Sequence, residues 1–348
     1  MRNTKPRHAG SYKGLINQIM KVLNRSIKSL FCVVLCLVCT SLFAQDMPKL
    51  QVGDTIAIVA PAAPVTPKQV ETSVQFLQSN GFNVIVSPQI FLTHNGFAGT
   101  VRQRAEAFQQ MLDRPGVKAI LCARGGYGTA NIIDSLDFTE FRKHPKWICG
   151  FSDITVLLTH LLSLGYPSLH SPMSITMLDT SINRLYNNTL IQALRGNRLS
   201  YTFPADSLNR PGTVTAPVVG GNLSLLYSLQ GSVSDLNTDG KILYIEDVDE
   251  NIYHIDRMLH SLERAGKFKN LKGLIVGCMS RIRVDDYFQN YDVNTLIAEI
   301  CAKYDFPICY NFPAGHCRPN YTLIIGRTAT LKVNNPAGSV VDCTLSFE

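Results

Sequence analysis

Residues 146–162 read KWICGFSDITVLLTHLL. Lys146 to Cys149 predict a short buried strand, and a helix is predicted to follow the turn at Gly150 to Asp153. The apolar side of that helix carries Ile154, Leu157, Leu158 and Leu161. A buried strand that runs directly into a helix is typical of α/β folds.

The same alternation recurs on the amino-terminal side of this stretch. Short runs rich in β-branched residues predict strands at 55–59, 83–86 and 118–122. Helical patterns lie between them, one over 67–79 and another over about 101–113. Strands that alternate with helices predict an open α/β domain whose parallel sheet is covered on both faces.

The chain is long enough to expect a second domain. The periodicity lapses at 197–213, which has the composition of a linker, so we assign 45–196 to the α/β domain and 214–348 to a carboxy-terminal domain. In this second domain, strand patterns lie at 241–245, 274–276 and 322–325, and a helical pattern lies at about 252–265.

The amino terminus has the pattern of a secretory signal peptide over 1–44. A basic stretch precedes the apolar run 30–38, which is shorter than the roughly 20 residues of a membrane-spanning helix. We expect cleavage after Ala44 and export, with a periplasmic location. A lipoprotein acylated at Cys39 and an uncleaved membrane anchor are the alternatives.

The signal segment accounts for the basicity of the chain. The whole chain has a formal net charge of +7, and residues 1–44 hold seven of its 33 basic residues and none of its 26 acidic ones. The remainder is therefore neutral. We expect no nucleic-acid partner and no stable membrane insertion after cleavage, since neither is favoured electrostatically.

Seven of the ten cysteines lie beyond residue 44, without Cys-x-x-Cys spacing. They predict neither a disulfide framework nor a zinc site. Most lie in apolar runs and are expected to be buried small hydrophobic residues, whereas Cys317 adjoins a candidate catalytic histidine. The seven are Cys122, Cys149, Cys278, Cys301, Cys309, Cys317 and Cys343.

Ser152 lies in the predicted turn between strand and helix. Such a turn exposes the hydroxyl at the carboxyl edge of the sheet and directs helix N–H groups towards the reacting atoms, as in a nucleophile elbow. The usual elbow has a small residue two positions after the serine, where this chain has Ile154. The alternative is that Ser152 or Asp153 only caps the helix.

A glycine-rich turn, Arg124-Gly125-Gly126-Tyr127-Gly128, follows the strand predicted at 118–122. Glycines permit positive φ and leave backbone N–H groups free to face a ligand. The turn could form an oxyanion hole or a phosphate cradle, but neither Gly-x-Gly-x-x-Gly nor a P-loop lysine is present. A tight turn with a purely steric need for glycine is the alternative.

Two adjacent carboxylates, Glu246 and Asp247, end an apolar strand. A carboxylate in this position is suited to orient a histidine and to stabilise its imidazolium. The alternative is an N-cap for the helix that follows, and this is the role that we predict for Asp247.

His316 lies in the loop Pro313 to Asn320, which is rich in glycine and proline. A histidine in a loop on a rigid scaffold suits general-base catalysis. The competing histidines beyond residue 150 are His160, His170, His254 and His260. His160 and His260 fall within helical patterns and are expected to be structural.

Five motifs, in this order, resemble those of the LD-carboxypeptidase family, which includes the microcin-immunity peptidases. They are Arg-Gly-Gly-Tyr-Gly (124–128), Gly-Phe-Ser-Asp (150–153), Gly-Gly-Asn-Leu (220–223), Ile-Glu-Asp-Val (245–248) and Gly-His-x-x-Pro-Asn (315–320). The resemblance spans nearly the whole chain beyond residue 44. It implies a Rossmann-like α/β amino-terminal domain with a parallel sheet and a mostly β (α+β) carboxy-terminal domain.

The resemblance also implies a catalytic triad of Ser152 as nucleophile, Glu246 as orienting acid and His316 as general base. The oxyanion hole would combine the backbone N–H of Asp153 with one from the turn at Gly125-Gly126. No metal or cofactor is expected. A homodimer is an expectation from the resemblance alone.

A peptide substrate with a free terminal carboxylate calls for a basic partner, because guanidinium binds carboxylate through two hydrogen bonds. Arg124 and Arg318 are the candidates, and Arg124 could equally brace the glycine turn. Asn222 is also assigned to substrate binding, since Gly220 to Leu223 is similar to a family segment that lines the cleft, and Tyr127 of the glycine-rich turn is a further candidate.

The predicted function is removal of the terminal D-alanine from murein tetrapeptides through an acyl-enzyme. One alternative keeps the chemistry and cleaves a peptide–nucleotide amide, as in the microcin-immunity peptidases, and an aromatic platform in the pocket would favour it. The other alternative is a noncatalytic periplasmic protein that binds cell-wall peptides.

Overall fold

The structure is a computed structural model that describes residues 47–178, 180–284, 291–334 and 342–348, apart from the side chain of Ile182. The predicted signal peptide lies outside these ranges. Within them, no helix combines the length and the apolar character needed to cross a membrane.

The first sheet has six strands in the order β11-β5-β4-β3-β1-β2. Their bounds are Thr55–Val59 (β1), Asn83–Val86 (β2), Val117–Cys122 (β3), Trp147–Gly150 (β4), Ser168–His170 (β5) and Leu323–Ile325 (β11). Strands β1 to β5 are parallel, and β11 pairs antiparallel with β5. The predicted parallel α/β sheet is confirmed.

Helices cover this sheet, as the alternating pattern predicts. They span Pro67–Ser79, Val101–Asp113, Thr139–Lys143, Thr155–Ser163 and Ser181–Leu194. The predicted bounds of the first two are confirmed, and Thr100 caps the second by accepting a hydrogen bond from the backbone N–H of Gln103.

The second sheet has seven strands in the order β10-β9-β8-β7-β12-β13-β6. Their bounds are Ser200–Pro204 (β6), Gly212–Asn222 (β7), Ile242–Val248 (β8), Gly273–Ser280 (β9), Ile308–Cys309 (β10), Thr328–Val333 (β12) and Asp342–Phe347 (β13). The sheet is parallel from β7 to β10 and antiparallel from β7 to β6. Three helices accompany it, at Leu223–Ser228, Ile252–Arg264 and Val293–Ile300.

Two segments differ from their predicted placement. The strand expected at 322–325 forms, but as β11 it joins the first sheet and not the second. The predicted linker 197–213 contains strand β6, in which Tyr201 and Phe203 are buried and the alternate residues are exposed. Because glycine and proline flank this short alternation, the segment was predicted to be a linker and the strand was not. The domain boundaries themselves stay a prediction.

The strand order places the reactive loops together. Strands β2 and β3 lie on opposite sides of β1. The order in which strands are added to the sheet therefore switches from one side to the other between β1 and β3. In open α/β sheets a crevice forms at such a point. The glycine-rich turn follows β3 and Ser152 follows β4, and both therefore lie at this edge.

Candidate active site

Ser152 lies directly after β4, in a short 3-10 turn over Ser152–Ile154 that leads into the helix Thr155–Ser163. Its φ is +63°, a left-handed conformation that is costly for a residue with a Cβ and is often retained at functional sites. A Cβ at Gly150 would lie 2.9 Å from Ile154 Cγ1. Ile154 is thus accommodated by the glycine two residues before the serine, and the predicted strand-to-helix turn is confirmed.

The glycine-rich turn packs against this serine. A Cβ at Gly125 would lie 3.2 Å from Ser152 Oγ and 3.5 Å from the backbone N of Asp153. A Cβ at Gly126, where φ is +109°, would lie 3.0 Å from the Cβ of Ala63. The structure therefore brings together the three residues that the sequence assigns to an oxyanion hole.

Asp153 holds the turn to the serine through its side chain. Its Oδ2 accepts hydrogen bonds from Thr129 N at 2.8 Å and from Thr129 Oγ1 at 2.6 Å. Burial raises the pKa of this carboxyl, although the hydrogen bonds from Thr129 act to lower it. The backbone N–H of Asp153 is accordingly fixed beside Ser152.

Arg104 also supports the glycine-rich turn, and this role was not predicted from the sequence. Its Nη1 donates to the carbonyl oxygens of Pro61 at 2.6 Å and Gly128 at 2.7 Å, and its guanidinium lies over the ring of Phe97. The residue is 1% exposed. The sequence does contain a signal for this role. Arg104 lies four residues before Phe108, on the buried face of an amphipathic helix, and a buried arginine needs hydrogen-bond partners.

Glu246 and His316 form a buried pair. Glu246 Oε2 lies 2.6 Å from His316 Nδ1 and 3.2 Å from the backbone N of His316. Glu246 is fully buried at the end of β8. Burial acts to lower the pKa of His316, but the hydrogen bond and the charge of Glu246 outweigh it and raise that pKa above its ordinary value.

Several contacts fix the loop that carries His316. Ser280 Oγ donates to the carbonyl oxygen of His316 at 2.9 Å, and the N–H of Gly315 donates to Asn320 Oδ1 at 2.8 Å. Gly315 has a φ of +110°, and a Cβ there would lie 2.7 Å from Glu246 Oε2. Only glycine allows the loop to approach the carboxylate this closely.

A disulfide between Cys278 of β9 and Cys317 ties the same loop to the second sheet. The sequence left the state of Cys317 open and did not indicate Cys278 as its partner, because residues 39 positions apart in sequence meet only through the strand arrangement. The other cysteines of the described residues beyond position 44 are free and buried, as expected: Cys122, Cys149, Cys301, Cys309 and Cys343.

Direct contacts join the residues that follow β4 to the loop that carries His316 and to the end of β7. The rings of Phe151 and His316 are 4.9 Å apart, and the N–H of Asn222 donates to Thr155 Oγ1 at 3.0 Å. Within the described residues, Ser152 Oγ and His316 make no hydrogen bond. Such contacts are often long in free enzymes and tighten when substrate binds.

The competing histidines have other surroundings. His170 is fully buried between Phe151 and Tyr244, and burial lowers its pKa to about 4, so its ring stays neutral. His160 contacts Ser234 Oγ at 2.9 Å. His254 pairs with Glu250 at 2.6 Å, and His260 lies exposed near Asp256 and Glu263.

Asn222 and Asp247 act within the protein. The Asn222 amide donates to Glu246 Oε1 at 3.3 Å and to Asp247 Oδ1 at 3.0 Å, so it faces these carboxylates. Asp247 Oδ2 accepts from the N–H of Ser224 at 2.9 Å. The prediction that Asp247 caps the following helix is wrong: that N-cap is Asn251, and Asp247 binds the start of the preceding helix.

A cavity of about 270 Å³ lies beside His316. Arg318 lines it, whereas Arg124 points to the carbonyl oxygen of Pro64 at a distance of 3.5 Å. Tyr127 is 65% exposed and packs on Phe97 over a separate groove. Of the predicted substrate residues, only Arg318 therefore lines the cavity that contains His316.

Two models of protein-family domains match the chain. The LD-carboxypeptidase N-terminal domain matches residues 56–171, and the LD-carboxypeptidase C-terminal domain matches residues 215–331. The N-terminal match contains Ser152, and the C-terminal match contains Glu246 and His316.

Similar proteins cover most of the chain. A probable murein peptide carboxypeptidase of Bacillus subtilis is 34% identical over 80% of this chain and 89% of its own length. The microcin C7 self-immunity protein MccF of Escherichia coli is 26% identical over 86% and 96%. A crystal structure of a muramoyltetrapeptide carboxypeptidase from Oxalobacter formigenes has a TM-score of 0.75 and 28% identity, covering 84% of this chain and 98% of that one. The chain therefore belongs to the LD-carboxypeptidase family and is a hydrolase of the serine-type carboxypeptidase class.

Proposed function

We propose that the protein releases the terminal D-alanine from murein tetrapeptides by acyl-enzyme catalysis. The observation that supports this most directly is the Glu246–His316 pair, which lies against Phe151, the residue before Ser152. The names of the similar B. subtilis and O. formigenes proteins support a murein peptide as substrate.

In the proposed mechanism, Ser152 Oγ attacks the carbonyl carbon of the scissile amide while His316 Nε2 takes its proton. The backbone N–H of Asp153 and the turn at Gly125-Gly126 stabilise the oxyanion. The C–N bond then breaks as His316 returns the proton to the leaving amine. Water, deprotonated by His316, hydrolyses the ester and regenerates Ser152.

The test is mass spectrometry of murein tetrapeptide incubated with the protein and with Ser152→Ala. We expect loss of one alanine with the unsubstituted protein only. Ser163→Ala, which changes an exposed serine at the end of the adjacent helix, is the matched control and should retain activity. Full activity of Ser152→Ala would refute the assignment of the nucleophile.

The alternative substrate is a peptide–nucleotide amide, which an aromatic platform in the pocket would favour; the exposed ring of Tyr127 lies over a separate groove and does not line the cavity beside His316. Release of the nucleotide part from such a compound, with no alanine released from tetrapeptide, would support this alternative. A noncatalytic binding protein is disfavoured by membership of a peptidase family.

We also propose that the protein is exported, with cleavage after Ala44. The Cys278–Cys317 disulfide supports this, because disulfides form and persist in oxidising compartments such as the periplasm. The mass of the protein recovered from a periplasmic fraction should correspond to a chain that begins at Gln45. A lipid adduct on Cys39 would instead support the lipoprotein alternative.

A further inference from the structure

The proposed function restricts where the leaving residue can bind. His316 must give its proton to the amine of that residue, so the amine lies within hydrogen-bonding distance of the imidazole. In an α-amino acid the carboxylate is one carbon from the amine. Any cation that recognises the terminal carboxylate must therefore lie on the same side of the scissile bond as His316.

The cavity beside His316 meets this requirement. His316, Cys317 and Arg318 line one part of it, and Phe151 and Ile175 supply apolar surface suited to a small methyl side chain. The remaining lining residues are Thr176, Tyr186, Arg281, Gly315 and Asn320. No acidic side chain lines it within the described part of the chain, so the charged residues at the cavity are cationic and favour an anionic ligand.

The two arginines of the cavity differ in their partners. Arg281 makes two hydrogen bonds of 2.7 Å to the carboxylate of Asp249, which occupies its guanidinium. Arg318 has no ion pair or hydrogen bond to any residue in the described ranges. Tyr186 lines the same cavity; burial raises the pKa of its phenol, and the charge of Arg318 acts to lower it.

We propose that Arg318 binds the terminal carboxylate of the substrate and thereby restricts cleavage to the last peptide bond. The inference rests on the proposed function. The disulfide at Cys317 and the hydrogen bond from Ser280 to His316 hold the backbone between the base and this cation, so the separation of the two groups is built into one loop.

Arg124 fits this role less well. It precedes Gly125, which abuts Ser152 and the backbone N of Asp153, and it is absent from the lining of the cavity beside His316. Its contact with the carbonyl oxygen of Pro64 favours the alternative that it braces the glycine turn.

The test compares two substrates, the murein tetrapeptide with a free terminal carboxylate and the same peptide with a terminal carboxamide. We expect Arg318→Gln to lower kcat/KM for the free acid about 10- to 100-fold, the usual effect of losing a hydrogen bond to a charged group. The value of kcat/KM for the carboxamide should change little, so the ratio of the two kcat/KM values, acid to amide, should fall towards one. Arg318→Lys should restore part of that preference.

Arg264→Gln, at the exposed end of the helix Ile252–Arg264, is the charge-matched control and should leave the acid-to-amide ratio unchanged. An unchanged ratio in Arg318→Gln, or a collapse of the ratio in Arg124→Gln instead, would overturn this inference while leaving the proposed function intact. If the unsubstituted protein released neither alanine from the free acid nor alaninamide from the carboxamide, the proposed function would be overturned, and the inference with it.

Discussion

Glu246 Oε2 contacts His316 twice, at 2.6 Å from Nδ1 and at 3.2 Å from the backbone N. The first contact requires the proton of the neutral imidazole to lie on Nδ1, which leaves Nε2 free to accept the proton of a nucleophile. The second fixes the backbone of the same residue. One carboxylate oxygen thus sets both the tautomer and the position of the base.

Glu246→Gln should lower kcat by roughly 10⁴-fold, as expected when a triad carboxylate is replaced by its amide and the wrong histidine tautomer is favoured. The assay is the rate of D-alanine release. Glu250→Gln removes the carboxylate that pairs with His254 and is the control, with activity expected to persist. If kcat of Glu246→Gln were within tenfold of that of the unsubstituted protein, the assignment of Glu246 to the triad would be contradicted.

The pH dependence follows from the raised pKa of His316. The base must be neutral, so kcat/KM should rise with pH through a pKa above 6.5. Glu246→Gln should move this rise to lower pH, because burial, the largest influence on the His316 pKa, lowers it, and the remaining charges of Asp247 and Arg281 act in opposite directions. If the rise of kcat/KM stayed at the same pH in this variant, a group other than His316 would be responsible for it.

The same pair contributes to stability with the opposite trend. A histidine whose pKa is raised on folding stabilises the fold fully below its unfolded pKa, and this contribution is lost as pH rises through the folded pKa. The free energy of unfolding, measured by denaturant titration, should therefore fall across the pH range in which activity rises. In Glu246→Gln this decrease should disappear.

Gly125→Ala should lower kcat about 10²-fold or more, because the added methyl would lie 3.2 Å from Ser152 Oγ and fill the space of the oxyanion. The backbone at Gly125 does not require positive φ, so the thermal midpoint should change little. Gly116→Ala is the matched control, since its Cβ meets no atom within 4 Å. Equal rates in the two variants would remove this turn from the oxyanion hole.

The parts of the site that could be predicted from sequence are those that depend on local structure. The turn at Ser152 follows from an apolar strand and an apolar helix separated by glycine, and no distant residue is needed to recognise it. Glu246 and His316 are candidates from their positions at a strand end and in a loop, and the resemblance selects them from the other carboxylates and histidines, because motif order carries information that residue type alone does not. The bounds of the helices Pro67–Ser79 and Val101–Asp113 could likewise be predicted from local patterns.

The remainder depended on register between distant segments. Cys278 meets Cys317, and Asn222 meets Glu246, only because β7, β8 and β9 pair in one particular alignment. Strand β11 pairs with β5 across about 150 residues of sequence, so its apolar pattern could not reveal its sheet. Side-chain chemistry at these positions is compatible with several alignments, and a single sequence does not choose among them.

Arg104→Met should reduce kcat more than it raises KM, because Arg104 positions the glycine turn and is expected to touch no substrate. It would leave the carbonyl oxygens of Pro61 and Gly128 without their donor, at a cost to stability of about 1–3 kcal/mol for each buried group. Arg102→Met, on the exposed side of the same helix, is the control. An effect on the thermal midpoint with unchanged kcat would make Arg104 purely structural.

Replacing Cys278 and Cys317 together by serine should lower the free energy of unfolding by about 2–4 kcal/mol, since the disulfide closes a loop of 39 residues in the unfolded chain. Activity at low temperature should fall less than tenfold, because Ser280 and Glu246 still hold His316 through hydrogen bonds. Thermal unfolding with and without dithiothreitol measures this. Reductant should lower the midpoint of the unsubstituted protein to that of the variant and leave the variant unchanged. If reductant instead abolished kcat while the midpoint stayed constant, the disulfide would be needed to position the base, and the hydrogen bonds from Ser280 and to Glu246 would be insufficient to hold His316 in place.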